Sequence, residues 1–169
     1  MENAQHHNLT SMLALILKAL GDVDLEEVFA QAKRKMEAGD FAGAQLDLSS
    51  IDLSDIDLSE ADLTGANLHQ AVLSDADLTE TVLSLVNLEE ADLTGSNMTE
   101  ANLHGANLHK ASLVEAELFD ADLTGARLER ANLTEAILDG ANLTGAHLAH
   151  AEYDDSTRWP DGFDPAKLI

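Results

Sequence analysis

The chain has no cysteine, so it forms no disulfide, offers no thiolate to a metal and holds no cysteine nucleophile. No apolar run approaches the ~20 residues of a membrane span; the most apolar stretch, LTSMLALILKAL, ends at Gly21. The start, MENAQHHNL, lacks the basic residues of a signal peptide, and the expected location is the cytoplasm. Cations are scarce: 9 Lys and Arg stand against 32 Asp and Glu, a net charge of −23. Such a surface repels nucleic acid and acidic membranes, so neither is expected as a direct partner. It suits a basic protein, a divalent cation or a protein that normally grips DNA, and it also keeps a rod with exposed edges in solution. Aromatic residues are only 4% of the chain, and high charge with few aromatics is the composition of disordered segments.

What the chain does have decides against disorder. From Leu46 to Asp155 it repeats every five residues as Ala-(Asp/Asn)-Leu-(Ser/Thr)-x. Leucine stands at Leu48, Leu53, Leu58 and onward to Leu148, broken only by Met98 and the terminal Tyr153. A small residue, usually Ala, stands two positions earlier. A period of five fits neither a helix at 3.6 nor a strand at 2. It fits a square coil in which each pentapeptide forms one side, with Ala and Leu inward and the other three positions outward. Four sides make a 20-residue turn, and coils stack at the strand spacing of ~4.8 Å into a continuous apolar column. Leucine fills the centre, and the small residue lets the corner close.

Residues 20 apart then lie above one another in columns. One side, centred on Leu48, Leu68, Leu88, Leu108, Leu128 and Leu148, collects nearly every cation of the rod and alternates charge along its length, as in His69, Glu89, His109, Glu129. The next two sides are acidic. One carries Asp55, Asp75, Gly95, Glu115, Glu135 and Asp155 in a column; its neighbour carries Glu60, Glu80, Glu100 and Asp120 beside Asp57, Asp77 and Glu117. The fourth side is neutral and smooth, with Gly65, Leu85, Gly105, Gly125 and Gly145. The candidate interaction surface is therefore Asp55, Asp75, Glu115, Glu135, Asp57, Asp77, Glu60, Glu80, Glu100 and Asp120.

No catalytic set, cofactor or metal is expected. The polar residues sit on convex outer faces, and a leucine-filled interior leaves no substrate pocket. His69 and His109 are two coils apart, roughly 9–10 Å at the strand spacing, too far to share one zinc ion. The glycines follow the five-residue corner pattern and form no phosphate loop. The protein is expected not to be an enzyme.

A solenoid needs its ends covered. Residues 1–45 are expected to form a helical cap. A first helix carries Leu13 and Ile16 and stops at Gly21; a second runs from about Asp24 to Ala38, with Asp24 as N-cap and Phe29 on its apolar face. The first helix is more apolar than a cap requires, which leaves a contact with a second subunit open, so the expected state is a monomer or weak homodimer. Residues 156–169 form the C-terminal cap, with Trp159 and Phe163 as plugs and Pro160-Asp161-Gly162 as a turn.

The run ANLHGANLHKASLVEAELFDADLTGARLERANLTEAILDGANLTGAHL resembles the pentapeptide-repeat family, and the tail YDDSTRWPDGFDP resembles the closing segment of bacterial, especially cyanobacterial, members. The resemblance implies an all-β solenoid, a right-handed quadrilateral β-helix, over residues 46–155. Two functions follow as expectations. The first is a rigid acidic scaffold for contact with a protein partner. The alternative is a DNA mimic that binds DNA gyrase or topoisomerase, as the quinolone-resistance members of that family do. Those members form longer rods joined at their C-terminal ends, and many carry loops that are missing here.

Overall fold

A five-residue side works because it satisfies its own backbone. The computed structural model describes residues 47–165, and the unit Ala121–Gly125 shows how. Ala121 N–H donates to the Leu118 carbonyl at 3.2 Å and closes the corner turn; Asp122 N–H donates to Ala101 of the coil below at 3.0 Å. Leu123 and Gly125 N–H donate to Asn142 and Thr144 of the coil above, both at 3.0 Å. The remaining amide, that of Thr124, donates to the Asp122 side-chain Oδ1 at 3.0 Å. All five donors are paired, as backbone held between stacked coils requires.

These bonds tie the coils together as parallel bridges between residues 20 apart, from Asp47↔Asn67 to Asn132↔Glu152. Side one comprises 66–70, side two 71–75, side three 76–80 and side four 81–85, each repeated every 20 residues. Inward leucines are buried from Leu48 to Leu138 and again at Leu148, Leu143 is half-buried near the C-terminal end, and Met98 takes a leucine place at 0% exposure. Each buried leucine contributes about 2 kcal/mol against the cost of ordering the chain. Where the small position departs from Ala, the interior still closes. Thr81 and Ser96 are buried, and their hydroxyls donate to the Leu58 and Leu93 carbonyls at 3.0 and 2.8 Å. Ile56 is buried and Ile51 half-buried at the start of the rod. The expected helical cap of residues 1–45, with Leu13, Ile16 and Phe29, lies outside the described residues, as does Leu46.

Every corner turns through its fifth residue. The four-residue turn places that residue third, at positive φ, as in a type II turn. Fifteen residues other than glycine hold φ between 53° and 61° at these corners.

The register slips by one residue at the C-terminal end. Ile137 pairs with Arg158, a separation of 21. Asp154 absorbs the insertion: its Oδ1 accepts from the Glu135, Ser156 and Thr157 amides at 3.1, 3.1 and 3.0 Å. Thr157 then takes the inward place, and its hydroxyl donates to the Leu133 carbonyl at 2.9 Å. Pairing thus runs to Arg158, past Asp155, where the sequence repeat ends. Trp159 stacks on Phe163 with centroids 4.8 Å apart and meets Tyr153 edge-on at 5.5 Å. Trp159 and Phe163 are half-buried against the core, while Tyr153 is 41% exposed.

Candidate interaction surface

The acidic columns are built from two kinds of position, and their chemistry differs. Asp55, Glu60, Asp75, Glu80, Glu100, Glu115, Asp120 and Glu135 are corner residues, all exposed and all at positive φ. Their amides hold the coils together: Glu60 N–H donates to Thr79 and Glu80 N–H to Thr99, both at 2.9 Å. The side chains stand outward, about one strand spacing apart along each corner. Gly95 and Gly140 interrupt the two columns. A Cβ at Gly95 would come within 2.5 Å of Asp75 Oδ1, and one at Gly140 would collide with Asp120. The acid below therefore lies over each glycine and partly closes the gap.

Asp57 and Asp77 are different. They sit at the second position of the unit, exposed, and their carboxylates brace the turn. Asp57 Oδ1 accepts from the Ser59 amide and hydroxyl at 3.1 and 2.7 Å; Asp77 Oδ1 accepts from Thr79 at 3.0 and 2.6 Å. The same bracket recurs at Asp52, Asp92 and Asp122, and with an amide oxygen at Asn132 and Asn142. Its signal was the (Asp/Asn)-Leu-(Ser/Thr) spacing, the short side chain that closes a local turn. The Ser54 hydroxyl holds Asp52 below the usual carboxylate range, and the Thr124 hydroxyl does the same for Asp122. Asp154 is also lowered, first by the Glu135 amide.

Side one carries the paired charges. Lys110 Nζ lies 2.7 Å from Glu90 Oε1, His109 Nδ1 3.2 Å from Glu89 Oε1, and Arg127 Nε 3.6 Å from Glu129 Oε2. His109 and Lys110 hold Glu89 and Glu90, respectively, below the usual range. A side-chain ladder runs beside them: Asn67, Asn87 and Asn107 each donate from Nδ2 to the residue one coil below, at 2.9, 3.0 and 2.9 Å, ending on Asp47. Arg158, for which the repeat pattern gives no role, donates to Asp139 at 2.9 Å and lies 5.8 Å from the Phe119 ring centre.

Residues 47–84, 81–118 and 116–152 match the family model for pentapeptide repeats, in eight copies. No curated protein matches the chain. Among solved structures, the pentapeptide repeat protein Rfr23 from the cyanobacterium Cyanothece 51142 is 29% identical, covering 76% of this chain and 99% of that one, with a TM-score of 0.35. A second, alr5209 from Nostoc Pcc 7120, is 30% identical over 82% of this chain and 90% of that one, with a TM-score of 0.33. HetL, from Nostoc sp. strain PCC 7120 and involved in heterocyst differentiation regulation, is 32% identical over 63% and 69%, with a TM-score of 0.24.

Proposed function

The chain belongs to the pentapeptide-repeat family, whose fold is a right-handed quadrilateral β-helix, and we propose that it is a non-catalytic, rigid acidic scaffold that docks a protein partner with a basic surface. One observation carries this reading. Eight acids hold exposed corners in the left-handed conformation, where glycine is unstrained and other residues cost roughly 1 kcal/mol each. Side four turns the same corners with Gly65, Gly105, Gly125 and Gly145. The acids on the other corners are therefore not there for the turn. Rigidity adds to their value: side chains on a stacked backbone present a fixed charge pattern with little ordering cost on binding.

The test is capture from a native lysate by the immobilised protein, beside a variant with E60Q, E80Q, E100Q and D120N. A basic protein retained by the native rod, released by salt and lost by the variant is the expected result. Equal retention by both would sink the reading. The segregation of acids onto two adjacent sides also supports DNA mimicry, for which gyrase supercoiling is the assay. No inhibition is expected of a general scaffold. Inhibition by the native protein, lost in the neutralised variant, would establish mimicry in its place.

A further inference from the structure

We propose that side one is a self-complementary surface through which two copies of the chain pair antiparallel, side against side. Consider a two-fold axis in the plane of side one, perpendicular to the rod, between the coils of Leu88 and Leu108. It lays each column against the same column of the second copy, reversed end for end. Glu90 then faces Lys110 of the second copy, and Glu89 faces its His109. One coil further out, His69 faces Glu129 of the second copy. At the ends, Asp47 faces its His147.

Among the described residues of this side, no two like charges meet under that operation. Asn67 and Gln70 face the second copy's Arg127 and Arg130, and Asn87 faces its Asn107. The steric pattern agrees. Leu85 is 63% exposed, the largest apolar projection among the described residues. It stands on the corner between sides four and one and lies over Gly105 of its own copy, where a Cβ would come within 2.9 Å of Leu85 Cδ2; the operation brings the Leu85–Gly105 pairs of the two copies together, apolar surface against apolar surface. A symmetric dimer requires such self-complementarity of one patch.

The other acidic sides fail the same operation. On side two, Asp75 would face Glu135, and Asp52 would face Glu152. On side three, Asp77 would face Glu117 and Glu80 would face Asp120. Side four offers only Asp62 and Asp122 as charges. Near the axis on side one, the pairs Lys110–Glu90 and His109–Glu89 already exist within each copy, at 2.7 and 3.2 Å. Two copies would join each pair to its symmetry mate in an alternating ring of four charges. Six coils span about 25–30 Å, and one side buries well below the ~800 Å² per partner of a standard interface. The dimer is accordingly weak, and it leaves both acidic sides free for another partner.

Sedimentation velocity over a concentration series tests this on the full chain. The native protein is expected to shift from monomer toward dimer as its concentration rises. K110E sets Glu90 against a like charge in both copies and should weaken association about tenfold or more. The double variant E90K/K110E exchanges both members and should restore it, because the two-fold axis exchanges them too. Both positions are outward, and a thermal melt of each variant serves as the check that it is folded. E60Q, on a distant corner, should leave association unchanged. A native protein that stays monomeric, a K110E protein that associates as well as the native one, or a double variant no better than the single would each overturn the proposal.

Discussion

At the residue scale, the unit divides labour so that few side chains are interchangeable. Leu103 is fully buried between its neighbours in the column, at 0% exposure. Leu103→Asp leaves a carboxylate without a partner in that interior and should cost about 3 kcal/mol or more. Thr99→Asp, four residues earlier on an outward position, should change stability by no more than about 0.5 kcal/mol. Chemical denaturation of the two variants measures both. The bracket acids bring a pH dependence. Asp52, Asp122 and Asp154 are held below their ordinary range by hydrogen bonds to the charged form. A depressed folded pKa means the contribution is fully present above the unfolded value, near 4, and is lost as pH falls through the folded value. Melting temperature should therefore decline below about pH 4. Asp154→Asn should flatten that decline, since Asp154 alone ties down the Glu135, Ser156 and Thr157 amides. An unchanged acid limb would show that the bracket is not felt in stability.

At the scale of the side and the coil, the corner sets the constraints. Gly125 and Gly140 both turn at positive φ, 66° and 73°. A Cβ at Gly125 meets nothing within 4 Å, whereas one at Gly140 meets the Asp120 carboxylate. Gly125→Ala should cost about 1 kcal/mol, the left-handed penalty alone. Gly140→Ala should cost more, and the difference should vanish in an Asp120→Ala background, a double-mutant cycle read by denaturation. The inward and outward assignment was legible in the sequence, because only a four-sided coil puts Leu at every fifth residue on one continuous core. The columns followed from the same arithmetic. The double use of Asp57 and Asp77 was not foreseen: their outward placement was legible, but a side chain bonded to its own turn looks like any surface acid until the turn is built. The slip at Asp154 escaped too. Thr157 takes an inward place only because one extra residue precedes it, and a period count stops at the first break.

At the scale of the molecule, the balance of charge decides how the rod responds to its solvent. Side one pairs opposite charges, while sides two and three set acids above acids, and the net charge is −23. If repulsion among the corner acids outweighs the few ion pairs, added salt should stabilise the fold. Raising sodium chloride from about 0.01 M to about 1 M cuts the screening length from roughly 30 Å to roughly 3 Å, enough to silence neighbours along a column and between adjacent corners. The expected outcome is a melting temperature that rises with salt. The variant with E60Q, E80Q, E100Q and D120N removes four of those charges without touching the backbone bonds of their corners. It should melt higher than the native protein at low salt and show a flatter salt dependence. The two proteins should converge at high salt, where the column no longer repels. That convergence separates electrostatic strain from packing, because a packing change would persist at every ionic strength. A variant less stable than the native rod at low salt would mean the acids are paired in the folded rod. They would then not be a surface held ready, at some cost in stability, for a basic partner.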